Sequence, residues 1–359
     1  MGDGPPAERD LVAEALTAQA EACRMLGSPL YGALLDRAAE DARAGGPVWR
    51  LLAPHAHDPG RSLPGLRLMG AVHRLVLEGR AAALAHHYPS AGGRVPRPGR
   101  EGAVWGAFRE TLADPSLPDL IRRPVQTNEV GRSRALLGGF LACAGAFGLP
   151  LHLLEIGSSA GLNLRWDRYR YESGEEAWGD PASPVRFEEV FDGPGPPLDA
   201  PAEVASRRAC DTWPIDPTTE EGALTLLSYV WPDQEERIAH LRGAIEVARA
   251  VPARIEEADA VEWLGRELAE PPAGGTTVVF HSILLWYFDP PKRERVRDIL
   301  IEAGGRATKA APLAWLSMES GGALAEVRLT TWPGGEERLL AEAGYHGRPV
   351  RWLDSRQAG

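Results

Sequence analysis

The stretch Leu151–Tyr171, LHLLEIGSSAGLNLRWDRYRY, predicts a strand, a tight turn and a helix in succession. An apolar run ends at the acidic residue Glu155, the small residues Gly157–Gly161 form the turn, and Leu162–Tyr171 has helical character. Glycines at both ends of the turn let a ligand approach the main chain, and the start of a helix leaves free backbone N–H groups. We therefore expect this turn to hold a cofactor, with the rest of the sheet built around it.

The sequence changes pattern on the two sides of this stretch. Before it, apolar residues recur at helical spacing, which predicts a helical N-terminal domain or cap over residues 1–148. From 149 to 359, short apolar strands alternate with helices, as in a mostly parallel sheet, and a Pro/Gly-rich insertion lies near 172–202. We predict a doubly wound, seven-stranded α/β sheet. Its strands are expected at Leu151–Ile156, Glu203–Cys210, Ala253–Ala258, Thr276–Ser282, Pro312–Ser317, Glu326–Thr331 and Val350–Leu353, and helices at 162–170 and 335–343 are among its connections.

The composition limits the partners of the protein. The chain has 359 residues, a formal net charge of -11 and 44% hydrophobic residues. The acidic balance argues against a surface for nucleic acid or anionic lipid. The first ten residues lack the features of a signal peptide, and no apolar run reaches the ~18 residues that span a bilayer. We expect a cytoplasmic protein that acts on a small molecule, without nucleic-acid or membrane partners. The oligomeric state is left open.

Cysteine and histidine spacing gives no metal-binding pattern. Cys23, Cys143 and Cys210 are odd in number and far apart, which fits neither a disulfide framework nor a zinc site. The segment His55–Asp58 resembles a fragment of a metallohydrolase motif. It lies in a Pro/Gly-rich loop without further ligands at a suitable spacing. We predict no metal site.

The turn Gly157-Ser158-Ser159-Ala160-Gly161 has three functional interpretations beside that of a merely tight turn. It departs from the dinucleotide fingerprint GxGxxG, because Ser159 replaces the middle glycine. It matches GxSxG, the nucleophile elbow of serine hydrolases, with Asp259 and His281 or His346 as nominal partners. An acid two residues before the first glycine also makes it similar to motif I of class I S-adenosylmethionine-dependent methyltransferases. In that motif the turn passes the amino-acid part of the cofactor, which carries no phosphate.

Three polar residues just beyond other predicted strands agree with the third interpretation. In a doubly wound fold the ligand lies at the carboxyl ends of the strands. Asp211 follows the second strand and suits two ribose hydroxyls, and Asp259 follows the third and suits the adenine amino group. His281 ends the fourth and is a candidate general base. Asp211 and Asp259 are alternatively helix N-caps, and His281 a core histidine. The expected cofactor-binding residues are Glu155, Gly157, Ser159, Gly161, Asn163, Asp211 and Asp259.

A densely polar segment precedes the sheet domain. It reads RRPVQTNEVGRS over residues 122–133. Guanidinium groups here can pair bidentately with a carboxylate, so we expect the segment to bind the substrate. Alternatively, Asn128 and Glu129 cap the following helix. The expected substrate-binding residues are Arg122, Arg123, Gln126, Asn128 and Arg132.

Several blocks of the chain resemble one bacterial family. These blocks are RRPVQTNEVGRS, LLEIGSSAGLNLRWDRYRY, WGDP at 178–181, RRACD and PIDP within 207–217, and LLSYVWPDQEERIAHL. Together they are similar to the domain of unknown function 2332 family, over about residues 10 to 355. The resemblance implies a methyltransferase-like fold for the whole chain and supplies no substrate.

These observations lead to one principal expectation about function. We expect methyl transfer from S-adenosylmethionine to an unidentified small molecule, with His281 as the base that deprotonates the acceptor. The alternatives are a serine hydrolase with Ser159 as nucleophile, and a non-catalytic ligand-binding protein with the same fold.

Overall fold

The computed structural model describes residues 6–59, 62–97 and 101–354. The expectation that the N-terminus is not a signal peptide therefore lies partly outside the described residues. The chain divides into two compact units. The first comprises the described part of Met1–Thr127 together with Glu220–Ile238, and the second comprises Asn128–Thr219 together with the described part of Ala239–Gly359. This division differs from the boundary expected after residue 148. The second unit begins 21 residues earlier (148 − 127), and the chain returns to the first unit at Glu220.

Helices make up the described part of the first unit, and the second unit has helices of its own that pack on its sheet. Their bounds are α1 Pro6–Met25, α2 Pro29–Arg43, α3 Pro47–Leu52, α4 Pro64–Leu77, α5 Ala82–Ala85, α6 Glu101–Thr111, α7 Leu117–Ile121, α8 Arg132–Phe147, α9 Glu220–Ser228, α10 Glu235–Ala250, α11 Ala260–Glu267 and α12 Pro290–Arg306. Several begin at a proline, whose fixed φ suits the first helical position and whose missing N–H has no partner there in any case. None of the helices in the described ranges is long and apolar enough to cross a membrane.

The first unit is held together by an apolar core and by a link from its distant segment. Leu16, Leu35, Leu68 and Val72 are fully buried in this core. Asp233, from the returning segment, bonds Ser28 Oγ at 2.6 Å and accepts from Leu30 N at 3.2 Å. Residues 220–238 are therefore fastened to the start of α2.

The described residues of the second unit form an eight-stranded sheet in the order β11-β10-β9-β8-β7-β1-β5-β6, beside a small sheet in the order β3-β2-β4. Pairings from β6 through β8 are parallel, and those from β8 through β11 are antiparallel. The strands are β1 Leu151–Ile156, β2 Arg170–Ser173, β3 Glu176–Trp178, β4 Arg186–Phe187, β5 Val204–Asp211, β6 Arg254–Glu257, β7 Thr276–Ser282, β8 Leu313–Ser320, β9 Ala325–Trp332, β10 Glu336–Ala343 and β11 Val350–Trp352.

Both faces of the parallel half are covered by helices. Successive residues of a strand point to opposite faces. On β7, Val279 belongs to the apolar cluster that includes α11 and α12, while the Phe280 ring meets the Phe140 ring of α8 edge-on at 5.1 Å. This double cover explains why β7 reads as a continuous apolar run rather than an alternating one.

Three sequence expectations differ from the structure. The sheet has eight strands instead of seven, because residues 336–343 form β10 and not a helix. The segment EERLLAEA is rich in helix formers, yet it pairs with β9, and Leu340, Ala341 and Ala343 are fully buried. Tertiary pairing thus overrides a weak local propensity. The helix expected at 162–170 is a 3-10 helix, Leu162–Arg168, and the insertion near 172–202 carries most of the small sheet.

Candidate functional site

A cleft opens at the carboxyl ends of the parallel strands of the second unit. Its cavity volume is about 60 Å³. Strand β1 lies between β5 and β7, so the loops that follow these strands meet at the point where the strand order reverses, which is the usual ligand position in such sheets. The lining residues are Gly157, Cys210, Asp211, Thr212, Ala258, Ala260, Leu284, Phe288 and Lys292.

The turn after β1 has a left-handed backbone at three positions. The φ angles are +65° at Gly157, +53° at Ser159 and +61° at Gly161. The turn is fastened to the end of β5, because Gly157 N donates to Cys210 O at 2.9 Å and Ser159 N donates to an oxygen of Asp211 at 2.8 Å. A Cβ at Gly157 would lie 2.3 Å from Leu284 Cδ1, so only glycine fits here without a shift of that side chain.

Glu155 is buried at the end of β1 with an unsatisfied oxygen. The residue is 3% exposed, and its Oε2 has no hydrogen-bond partner among the described residues. Burial raises the pKa of this carboxyl well above its usual range, against the opposing effect of Arg165 and with a further contribution from Asp211. The hydroxyl of Ser158, in the same turn, is likewise buried without a partner in the described part of the chain. Two buried polar atoms in or beside one turn thus lack a hydrogen-bond partner in the described part of the chain.

Arg165 fixes the far end of the turn. It is 3% exposed, and its guanidinium donates to Gly161 O at 2.7 Å and to Val251 O at 2.9 Å. Burial lowers the pKa of this guanidinium from its usual value. Arg165 therefore acts on the site by holding the turn backbone.

Asn163 and Asn128 also support the turn from behind. Asn163 is buried, accepts from Ser133 Oγ at 2.7 Å and donates to Glu129 O at 3.3 Å. Asn128 Oδ1 accepts from Leu162 N at 2.9 Å, at the start of the 3-10 helix. Both amides tie the segment before α8 to the segment after the turn.

Asp211 lines the cleft and Asp259 lies next to it, and the two carboxylates have different partners. Asp211 accepts from Ser159 N and from Trp213 N, each at 2.8 Å. Asp259 caps α11 by accepting from Val261 N at 2.8 Å and forms an ion pair with Lys292 Nζ at 2.6 Å. Burial alone would raise the pKa of Asp259, but the hydrogen bonds from Lys292 and Val261 N outweigh it and lower the pKa. The N-cap alternative for Asp259 is thus present in the structure, next to the cleft.

His281 is fully buried with both ring nitrogens engaged. Nδ1 lies 2.7 Å from Glu319 Oε1, and Trp315 Nε1 donates to Nε2 at 3.0 Å. An indole N–H only donates, so Nε2 must be the unprotonated nitrogen and Nδ1–H must donate to the carboxylate. In this arrangement neither nitrogen is open to a substrate, and the core-histidine alternative describes the geometry.

The expected substrate-binding segment is divided between the two units. Arg132 belongs to the second, where its guanidinium donates to Ser282 O and Tyr345 O, each at 3.1 Å. It thus lies at the carboxyl end of β7. Three of the five expected residues belong to the first unit, where Arg122 pairs with Asp119 at 3.2 Å, Arg123 pairs with Glu221 at 3.0 Å, and Gln126 is buried.

No metal centre is found in the described residues, since no group of three or more His, Cys, Asp or Glu side chains is placed to hold an ion. His55 bonds Asp58 at 2.9 Å, and Asp58 pairs with Arg67 at 2.7 Å.

Burial raises the pKa of the Cys210 thiol, which lines the cleft, to about 12. The Cys210 thiol is therefore neutral at physiological pH and a poor nucleophile.

Sequence reasoning missed several residues of this site. Lys292 and Phe288 line the cleft, and Lys292 Nζ lies 4.3 Å from the centroid of the Phe288 ring. Glu319 comes from β8 and meets the loop after β7. Lys292 could have been noticed in the sequence, because Lys292 and Lys309 are the chain's only lysines. Glu319 carried none, since an acidic residue near a strand end has no distinguishing pattern.

The fold and the cleft together define an α/β protein with a large, mostly parallel sheet and a polar cleft at the carboxyl ends of its central strands. Within that class, the chain belongs to the bacterial family described as "Uncharacterized protein conserved in bacteria (DUF2332)", whose model matches residues 13–352. No curated protein and no solved structure matches the chain.

Proposed function

We propose that this protein transfers a methyl group from S-adenosylmethionine to a small molecule in the cleft beside the turn Gly157–Gly161. The observation that carries the proposal is Glu155 Oε2, which is buried at the end of β1 without a partner among the described residues. An unpaired buried carboxyl oxygen is costly, and a ligand ammonium group would satisfy it. The amino-acid end of S-adenosylmethionine carries such a group.

The topology supports a methyltransferase-like fold. In chain order, the parallel strands run third, second, first, fourth and fifth across the sheet, which is the order of the doubly wound nucleotide-binding fold. The antiparallel half, β9 to β11, extends that arrangement beyond β8. The turn after the first strand of such a sheet is the usual place for a nucleoside-containing ligand.

The cleft residues fit the other parts of this cofactor. Asp211 accepts two backbone hydrogen bonds, and a carboxylate has about four acceptor positions, so it can also accept from ribose hydroxyls. Ala258, Ala260 and Phe288 give an apolar wall for a purine ring, with Asp259 at its edge. When bound, the cofactor would supply an electrophilic methyl group.

The chain's own residues would act mainly by positioning. With the cofactor held by Glu155 and Asp211, its methyl group would pass from sulfur to the acceptor, and the proton that the acceptor loses would go to solvent water. His281 is enclosed by Glu319 and Trp315, so we assign it a positioning role in place of the expected role as base. Orientation of the two reactants then supplies most of the rate enhancement.

One observation favours the serine hydrolase alternative. Ser159 has a φ of +53°, and a strained nucleophile on a strand–turn–helix is the mark of the GxSxG elbow. Against it, both ring nitrogens of the nominal partner His281 are hydrogen-bonded, one to Glu319 and one to Trp315. Labelling by a fluorophosphonate probe that is lost in Ser159→Ala would favour the hydrolase.

Titration calorimetry with S-adenosylhomocysteine and S-adenosylmethionine tests the proposal. We expect micromolar binding to the wild type, weakened about tenfold or more in Glu155→Gln, because a neutral amide cannot form a charge-assisted bond with the ligand ammonium group. Glu302→Gln, an exposed position on α12, is the control and should bind as the wild type does. No binding of either ligand to the folded wild type would refute the proposal. Binding without methylation of any acceptor tested would favour the non-catalytic alternative.

A further inference from the structure

One oxygen of Glu319 gathers three hydrogen bonds at the loop after β7. Oε1 lies 2.7 Å from His281 Nδ1 and accepts from Leu284 N at 2.8 Å and from Leu285 N at 3.1 Å. The side chain is only 20% exposed. Two consecutive backbone N–H groups that converge on one carboxylate fix the path of the main chain at that point.

The loop that Glu319 holds begins with a strained residue. Ile283 has a φ of +50°, which is a genuine outlier for a β-branched side chain, and its N–H donates to Met318 O at 2.7 Å. Such strain persists only where surrounding contacts over-determine it, and it tends to occur at functional sites. The carboxylate on β8 supplies the contacts directly after the strained residue.

The same loop forms one side of the cleft. Leu284 packs against Gly157, and Leu284 and Phe288 line the cleft. Between them, Trp286 and Tyr287 are 40% and 46% exposed and meet edge-on at 5.1 Å. Large aromatic side chains left in solvent beside a cleft are candidates for ligand contact.

We propose that Glu319 is a positioning residue that anchors the loop 283–288 as the ligand-facing wall of the cleft. His281 joins the same anchor through Nδ1 and is itself fixed by Trp315. The part of this inference that concerns the bound ligand rests on the proposed function. The anchoring of the loop does not, because it follows from the contacts of the free protein.

Amide hydrogen exchange of the ligand-free protein tests the anchor. In Glu319→Ala we expect exchange in peptides covering 283–288 to accelerate about tenfold, as two amides lose a charged acceptor. Glu319→Gln should remain close to the wild type, because its carbonyl oxygen can still accept from Leu284 N and Leu285 N. Glu326→Gln removes a carboxylate directly opposite on β9 and is the matched control. Unchanged exchange in Glu319→Ala, or an increase spread evenly over β7 and β8, would overturn the proposal.

Binding of S-adenosylhomocysteine gives the second readout. We expect about tenfold weaker binding in Glu319→Ala, rescue in Glu319→Gln and wild-type binding in Glu326→Gln. Equal affinity in wild type and Glu319→Ala would refute the role of the loop in ligand binding. If the wild type does not bind the probe, the proposed function fails, and the exchange measurement still decides whether Glu319 anchors the loop.

Discussion

The burial of Glu155 at the end of β1 makes the stability of the folded protein depend on pH. Its folded-state pKa is raised by burial, so the folded protein favours the protonated carboxyl. For such a group the contribution to stability is full below the unfolded pKa and is lost as the pH rises toward the folded pKa. The wild type should therefore lose stability from this residue as the pH increases above about 4.5.

We predict that Glu155→Gln is more stable than the wild type at neutral pH but binds S-adenosylhomocysteine less well. The gain is expected to be on the order of 1–3 kcal/mol, because Glu155 must take up a proton or bury an unpaired charge on folding at neutral pH, and a neutral amide does neither. Thermal unfolding at pH 5 and pH 8 measures it, and the gain should be larger at pH 8. A variant less stable than the wild type at pH 8 would contradict the prediction.

Glu319 should show the opposite dependence on pH. Burial alone would raise its pKa, but hydrogen bonds from His281, Leu284 N and Leu285 N outweigh it and hold the pKa below its usual range. Its stabilising contribution is then present above the unfolded pKa and is lost as the pH falls through the lower folded pKa.

We predict that acid unfolding is less steep in Glu319→Gln than in the wild type, in the region below pH ~4.5. The physical reason is that the variant has no carboxylate to protonate at the loop. Fluorescence-monitored unfolding between neutral and acidic pH provides the measurement, with Glu326→Gln as reference. Parallel curves for wild type and Glu319→Gln would show that Glu319 does not contribute in this way.

At the scale of the element, the turn after β1 depends on its first glycine for two separable reasons. Gly157 has a left-handed φ of +65°, and a Cβ there would meet Leu284 at 2.3 Å. Gly148, just after α8, has a similar φ of +62° with nothing within 4 Å of an added Cβ. The two positions therefore share the backbone cost of an alanine and differ in the steric clash.

We predict that Gly148→Ala lowers the free energy of unfolding by about 1–2 kcal/mol, the cost of a left-handed non-glycine residue. Gly157→Ala should lower it further, by about another 1–3 kcal/mol from overpacking, and should also weaken binding of S-adenosylhomocysteine. Urea denaturation and calorimetry measure the two effects. Similar losses of unfolding free energy in both variants would contradict the prediction, because they would mean that Leu284 moves aside without cost.

The strands were predictable where apolar runs are bounded by turn residues. Expectations for β1 and β7 are confirmed at both ends, because Gly157 and Gly275 border fully covered strands. The helix expected at 335–343 was wrong, because Leu, Ala and Glu favour a helix locally while pairing with β9 decides the conformation. Helical composition alone does not reveal a neighbouring strand.

The candidate site was predictable in part, for a topological reason. Glu155 and Asp211 lie at the carboxyl ends of β1 and β5, and Asp259 comes just after β6. The carboxyl ends of adjacent parallel strands lie together. Arg165 and Glu319 were not predictable, because their partners are backbone groups chosen by the folded path of the chain. His281 was placed correctly at the end of β7, but its enclosure by Trp315 depends on a strand 34 residues further on.

At the scale of the whole molecule, the chain forms two units, and each unit is built from two separate segments of the sequence. The second unit is left at Thr219 and resumed at Ala239, while Glu220–Ile238 joins the first. Local periodicity does not reveal that this segment belongs to the first unit, because the sequence of α9 resembles that of any helix between two strands. Within the first unit several contacts hold this segment, among them the hydrogen bonds of Asp233 with Ser28 and Leu30 N and the ion pair of Glu221 with Arg74.

We propose above all that the cleft beside Gly157–Gly161 is the cofactor site. A crystal structure of the protein grown with saturating S-adenosylhomocysteine tests it most directly. We expect the ligand in this cleft, with its amino group at Glu155 and its purine beside Ala258 and Ala260. A cleft without ligand under these conditions, or the ligand bound elsewhere on the protein, would contradict it.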